Sequence, residues 1–212
     1  MNLLPSDLDR VTHAVQEAER GTCGEIVPYI VPQSDEYAEA VWRVAALAAA
    51  TILVAMAVAQ VLFGFRMGLG IIGVGLVTIL FSLFCVTIVE ITPALKRLVA
   101  GRERIAHRTL QRAQEAFIAE EVFATADRVG ILLFISLMEH RVIVLGDTGI
   151  NQRVAAEEWS AVVTTLVDAI RRNQIADGIV AAVHQCSEIL TRHGFAALPG
   201  DINELRDELR KG

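Results

Sequence analysis

The chain has 212 residues, a net charge of -6 and 53 % hydrophobic content, which leaves room for one ordinary soluble domain beside a membrane segment. The acidic balance argues against nucleic acid as a partner, because phosphate binding needs a basic surface. Cys23, Cys85 and Cys186 are scattered and form no CxxC or Cys/His cluster, so a structural zinc site is not expected.

Met1 to Asp7 lacks a basic n-region and a long apolar h-region, so no secretory signal is expected there. Leu8, Val11, Val15 and Ala18 recur at helical spacing, with Ser6 as the predicted N-cap and Gly21 as the stop. Glu25 to Val31 reads as a strand, placed at an edge or bulge by Pro28. Ser34-Asp35-Glu36 opens a helix that runs through Trp42, an interfacial aromatic, into the first apolar span.

Residues 44–65 and 67–89 carry no charge and are separated by Arg66. Each stretch exceeds the roughly 20 residues needed to cross a bilayer as a helix. Arg43 precedes the pair, and Lys96, Arg97, Arg102, Arg104 and Arg108 follow it, against Arg66 alone in the turn Gly64 to Gly68. The positive-inside rule then places both termini in the cytoplasm, in a cell (inner) membrane. No ionisable group lies near either midpoint, so an anchor is expected rather than a pore. Ala45, Ala49, Ala55 and Ala59, with Gly70, Gly73 and Gly75, allow close helix approach, within the pair, to a partner, or between copies in a homo-oligomer.

Beyond Pro93 the pattern predicts one long helix to about Ala126, with Arg104, Arg108 and Arg112 on one face. These three arginines are candidate contacts for anionic lipid headgroups, which attract juxtamembrane cations by about 1 kcal/mol each. A solvated helical face beside Glu115 is the competing reading. Gly130 to Leu137 is a buried-strand run, Met138 to Arg141 a turn, and Val142 to Gly146 a returning strand. Val154, Trp159, Val162, Val163, Leu166 and Ile170 make an apolar helical face, and a last helix is predicted from about Ile175 to His193.

A strand near residue 28 cannot stand alone in water, and its expected partner is the strand at 131. The predicted fold is therefore a single α/β (or α+β) domain built from residues 1–41 and 93–195. A transmembrane helical hairpin, 42–92, is inserted into it, and 196–212 forms a charged C-terminal tail.

This order of elements resembles the TPM-domain family. The residues that carry the resemblance are Gly24-Glu25-Ile26-Val27-Pro28-Tyr29-Ile30-Val31, Gly130-Ile131-Leu132-Leu133-Phe134, Arg141-Val142-Ile143-Val144, Gly146-Asp147-Thr148-Gly149-Ile150 and Ala176-Asp177-Gly178. The resemblance implies a membrane-associated α/β domain that is an acid phosphatase, a calcium binder or an accessory factor of membrane complexes. Paired acids commonly precede the glycine of the central strand in that family. Here the stretch is Asp127-Arg128-Val129-Gly130, with one displaced carboxylate, which puts calcium binding in doubt.

Asp127 and Asp147 are the candidate metal ligands if the strand ends converge. Otherwise Asp127, Asp147 and Asp177 serve as caps and turns. Glu139-His140-Arg141 combines acid, base and cation, but neighbours in a tight, exposed turn seldom converge on one substrate. His184 and His193 have the wrong spacing for a shared metal. No GxSxG, P-loop or HExxH motif is present, and no catalytic residue or organic cofactor is indicated. The expected function is a non-enzymatic accessory protein at the membrane that binds another membrane protein or assembly. The alternative is a TPM-type phosphohydrolase.

Overall fold

The computed structural model describes residues 4–63, 70–197 and 204–212. It comprises two compact units: residues 1–34 with 106–212, and residues 35–105. The predicted turn at Gly64 to Gly68, with Arg66, and the Pro199-Gly200 break lie outside the described residues. Residues 35–41 and 93–105, assigned by sequence to the α/β domain, group with the helical pair.

The first unit is built on a mixed sheet of order β3-β2-β1-β4, with β1 (Glu25–Val31), β2 (Gly130–Ser136), β3 (Arg141–Gly146) and β4 (Arg210–Lys211). β1 and β2 run parallel, with Ile26 opposite Ile131, and β2 and β3 form an antiparallel hairpin. β2 is buried at every residue because both faces of the sheet are covered, which is why it reads as a continuous apolar run rather than an alternating one. Ile131, Leu133 and Ile135 enter a core with α1 (Pro5–Glu19), α7 (Ser160–Arg171) and α8 (Ile175–Arg192). Leu132 and Phe134 point the other way, into a core with Ala113 and Ala116 of α5 (Arg102–Ala119). Each such side chain contributes roughly 1.5–3 kcal/mol by leaving water.

Pro28 is tolerated for a specific reason. The Glu25 N–H bonds Val129 O of the β2 side, while the Ile26 N–H turns away to the Glu19 carboxylate. Strand alternation therefore directs the Pro28 nitrogen away from β2. On that side β4 pairs only with Tyr29 and Ile30, so no ladder donor is lost.

Several boundaries differ from the sequence expectations. Ser6 is not the cap of α1: Leu4 holds that position, and its N–H donates to the Asp7 carboxylate at 3.2 Å. The helix expected from Ser34 begins at Ala38 as α2 (Ala38–Phe63), after Tyr37 at φ 56°. The single helix expected from Pro93 to about Ala126 is two. α4 (Pro93–Ala100) stops at Gly101, whose φ of 83° is a conformation open to glycine, and α5 ends at Ala119. Within the segment expected to be a charged tail, Arg210 and Lys211 join the sheet as β4, with Arg210 donating to the Glu120 carboxylate at 2.5 Å and to the Glu120 carbonyl at 3.1 Å.

The second unit contains α2 and α3 (Ile71–Ile91). Ala38–Leu62 and Ile71–Ile91 are long and apolar enough to cross a membrane, with mean hydropathies of 2.3 and 2.6. Trp42, Val61, Ile71 and Ile72 are among their exposed large side chains.

Candidate functional site

Asp127 and Asp147 both lie where the sheet meets the loop before β2. Asp147 ends β3 and caps α6 (Thr148–Asn151), its carboxylate accepting from the Thr148 N–H at 2.7 Å. Its own N–H donates to Gly130 O at 2.9 Å, which ties it to the first residue of β2. The side chain is 5 % exposed. Asp127 is exposed.

The partner of Asp147 is Arg128, which sequence reasoning noted only as a departure from an acidic pattern. Arg128 Nε and Nη2 donate to the two carboxylate oxygens at 2.6 and 3.1 Å, the forked geometry that suits guanidinium and carboxylate. Arg128 sits at φ 57° and its guanidinium lies over the Phe123 ring, 5.8 Å from the centroid. The Gly149 N–H donates to Arg128 O at 3.0 Å, so backbone and side chain both clamp the loop to the β3–α6 turn. Removing the anchor, as in Asp147→Ala, is expected to cost about 2 kcal/mol through the lost cap and the lost charged hydrogen bonds. Thermal unfolding checks this, with Asp147→Asn falling between the variant and wild type.

Asp177 lies elsewhere, in the first turn of α8, paired with Arg10 of α1 at 2.5 Å. The two residues line a cleft of about 840 Å³ beyond the carboxyl end of β1, with Ile30, Pro32 and Lys211 also on its wall. Spacing gave no signal for it, because α1, α8 and the β4 segment meet there only through the fold. Among the described residues no group of three or more His, Cys, Asp and Glu side chains is gathered as a metal shell.

The hairpin turn is not the exposed feature expected. Glu139 is 5 % exposed, and its carboxylate accepts from the Ser34 N–H at 2.8 Å and the Ser136 hydroxyl at 2.5 Å. It is a strut inside the turn, while His140 adopts φ 50° to close it. His193 bonds Glu158 at 2.7 Å. The Cys186 thiol is fully buried, which pushes it up to about 12 and leaves it a core side chain rather than a nucleophile.

A second carboxylate group underlies the C-terminal segment. Glu19 accepts from the Ile26 N–H at 3.0 Å. Burial is the main cause that pushes its carboxyl up to about 9, and Glu25 and Asp207 add to it against the opposing bond from Ile26. Glu25 is 6 % exposed; one oxygen accepts from the Glu204 N–H at 3.0 Å, and the other has no hydrogen-bond partner among the described residues. Its carboxyl is also raised, by burial first.

The candidate headgroup arginines each have a protein neighbour. Arg104 pairs with Glu39, Arg108 donates to Gln111 at 3.4 Å and Arg112 to Glu115 at 3.5 Å.

The sequence profile of the TPM domain matches residues 85–189. A TPM domain is present in this chain. The match begins in α3 and ends in α8, so α1 and β1 lie outside it although β1 pairs with β2 along its whole length. The fold is similar to the NMR structure of the BA42 protein from the psychrophilic bacterium Bizionia argentinensis. The TM-score is 0.60 and the identity 15 %, over 100 % of this chain and 97 % of that one. That identity carries the fold alone. No curated protein matches the sequence.

Proposed function

We propose that this TPM-domain protein is a two-span membrane protein whose α/β unit serves as a non-enzymatic accessory module, binding another membrane protein or assembly. The observation that carries the reading is the hairpin. Of the most apolar windows of its two helices, only 6 % and 0 % is buried within the chain. So much bare apolar surface on helices of that length is stable in lipid and a liability in water. Two crossings return the chain to its starting side, so both parts of the α/β unit can fold together. The flanking arginines favour the cytoplasmic side of the inner membrane, and headgroup contact is the role this reading gives to Arg104, Arg108 and Arg112.

Support for a protein partner is more specific to the helices. A methyl group at Gly75 of α3 would meet no atom within 4 Å, which leaves room for a third helix or a second copy to approach closely.

Membranes washed with alkaline carbonate should retain nearly all of the chain. Affinity capture of the full-length protein in mild detergent should then bring down one partner in near-equal amount. Release of the chain by carbonate removes the anchor. A monomer without partner in every detergent removes the accessory role, and phosphate release from a generic phosphomonoester, lost in Asp147→Asn, would favour the phosphohydrolase reading.

A further inference from the structure

We propose that Arg128 is the resident cation of this TPM domain: its guanidinium holds the carboxylate that a divalent ion would require, so the site takes up no calcium. The inference concerns the α/β unit alone and stands whether or not the protein has a membrane partner.

Calcium is bound by six to eight oxygens, with more than one carboxylate in a site of useful affinity. The buried carboxylate at the start of β2 is Asp147, and its oxygens are already engaged. Oδ2 accepts from Arg128 Nε at 2.6 Å. Oδ1 accepts from Arg128 Nη2 at 3.1 Å and from the Thr148 N–H at 2.7 Å. An ion at this carboxylate would have to displace a guanidinium that cannot lose its charge, or lie beside it and be repelled. The guanidinium is also held from behind by Phe123. Its backbone is fixed by the Arg128 N–H to Thr125 O at 3.2 Å and the Gly149 N–H to Arg128 O at 3.0 Å. A carboxylate that must sit buried at the end of β3 needs a positive neighbour, and here the chain supplies it from the adjoining loop.

The test is thermal unfolding of the full chain in detergent, in EDTA and in millimolar calcium chloride, for wild type, Arg128→Ala and Arg128→Lys. Wild type and Arg128→Lys should unfold at the same temperature in both buffers. Arg128→Ala should unfold earlier in EDTA and regain about 4 °C with calcium, because the ion then replaces the missing charge. A calcium-dependent rise in wild type that disappears in Asp147→Asn overturns the proposal. So does an Arg128→Ala protein that folds but gains nothing from calcium. Should Arg128→Ala not fold, terbium luminescence on wild type and Arg128→Lys decides: Asp147-dependent binding in either overturns the proposal, and its absence in both upholds it.

Discussion

Gly130→Ala should destabilise the α/β unit by about 3 kcal/mol or more, lowering its unfolding temperature by roughly 10 °C or preventing folding. A Cβ at this position would lie 2.0 Å from the carbonyl oxygen of Val122 and 3.0 Å from its carbonyl carbon. The obstacle is backbone, so no rotamer change relieves it. Either β2 must shift away from the 120–129 loop, or that loop must lift and uncover Val122 and Phe134, both fully buried. Such a lift would also strain the Arg128–Asp147 clamp and the Asp147 N–H bond to Gly130 O. Gly75→Ala is the control: with no atom within 4 Å of the added methyl, it should leave stability unchanged or slightly raised. Equal unfolding temperatures for Gly130→Ala and wild type would mean that the loop does not cross the start of β2.

Glu19→Gln should stabilise the protein at pH 8 and have little effect at pH 5. The unfolded carboxyl titrates near its ordinary value of 4.5, while the folded one holds its proton to about 9. Between those values the folded state binds more protons than the unfolded one, so stability falls as pH rises. The contribution is whole below about 4.5, declines through neutral pH and is lost above about 9. Gln keeps the acceptor for the Ile26 N–H and carries no charge to desolvate. The gain at pH 8 should be on the order of 1–2 kcal/mol, allowing for partial solvent access and relaxation. Thermal unfolding at pH 5, 6.5 and 8 measures it. A slope unchanged in Glu19→Gln would move the pH dependence to another group, with Glu25 the first to test. Because Asp207 contributes to the Glu19 shift, hydrogen exchange in β4 should rise with pH in wild type and less in the variant.

The resemblance and the β-hairpin were legible because each rests on local pattern. Gly130 to Leu137 and Val142 to Gly146 are apolar runs bounded by turn residues, and the hairpin forms within two residues of the expected bounds. The pairing of β1 with β2 was expected because an isolated strand is unstable in water, and the buried run at 131 was the partner named for it. The candidate site was half legible. Asp147 was visible as an acid at an element end, but nothing in the spacing said that Arg128 would face it. That pairing needs the loop to turn back at Glu121 and Arg128, both with positive φ, and neither residue type advertises such a conformation.

Charge-free length, hydrophobic period and turn chemistry are properties of consecutive residues. From them the chain by itself determined two apolar helices, a partner for β1, a β-hairpin and several of the helices. Tertiary structure decided where the polar groups go. It drew the charged C-terminal segment into the sheet as β4, broke the arginine-bearing helix at Gly101, buried Glu139 as a strut, half-buried Glu19 so that its carboxyl is pushed up, and set Arg128 on Asp147. The physical reason is that burial and charge pairing depend on which residues meet across the fold, and a buried carboxylate is defined by a partner that lies 105 residues away for Glu139 and Ser34, or 19 for Asp147 and Arg128.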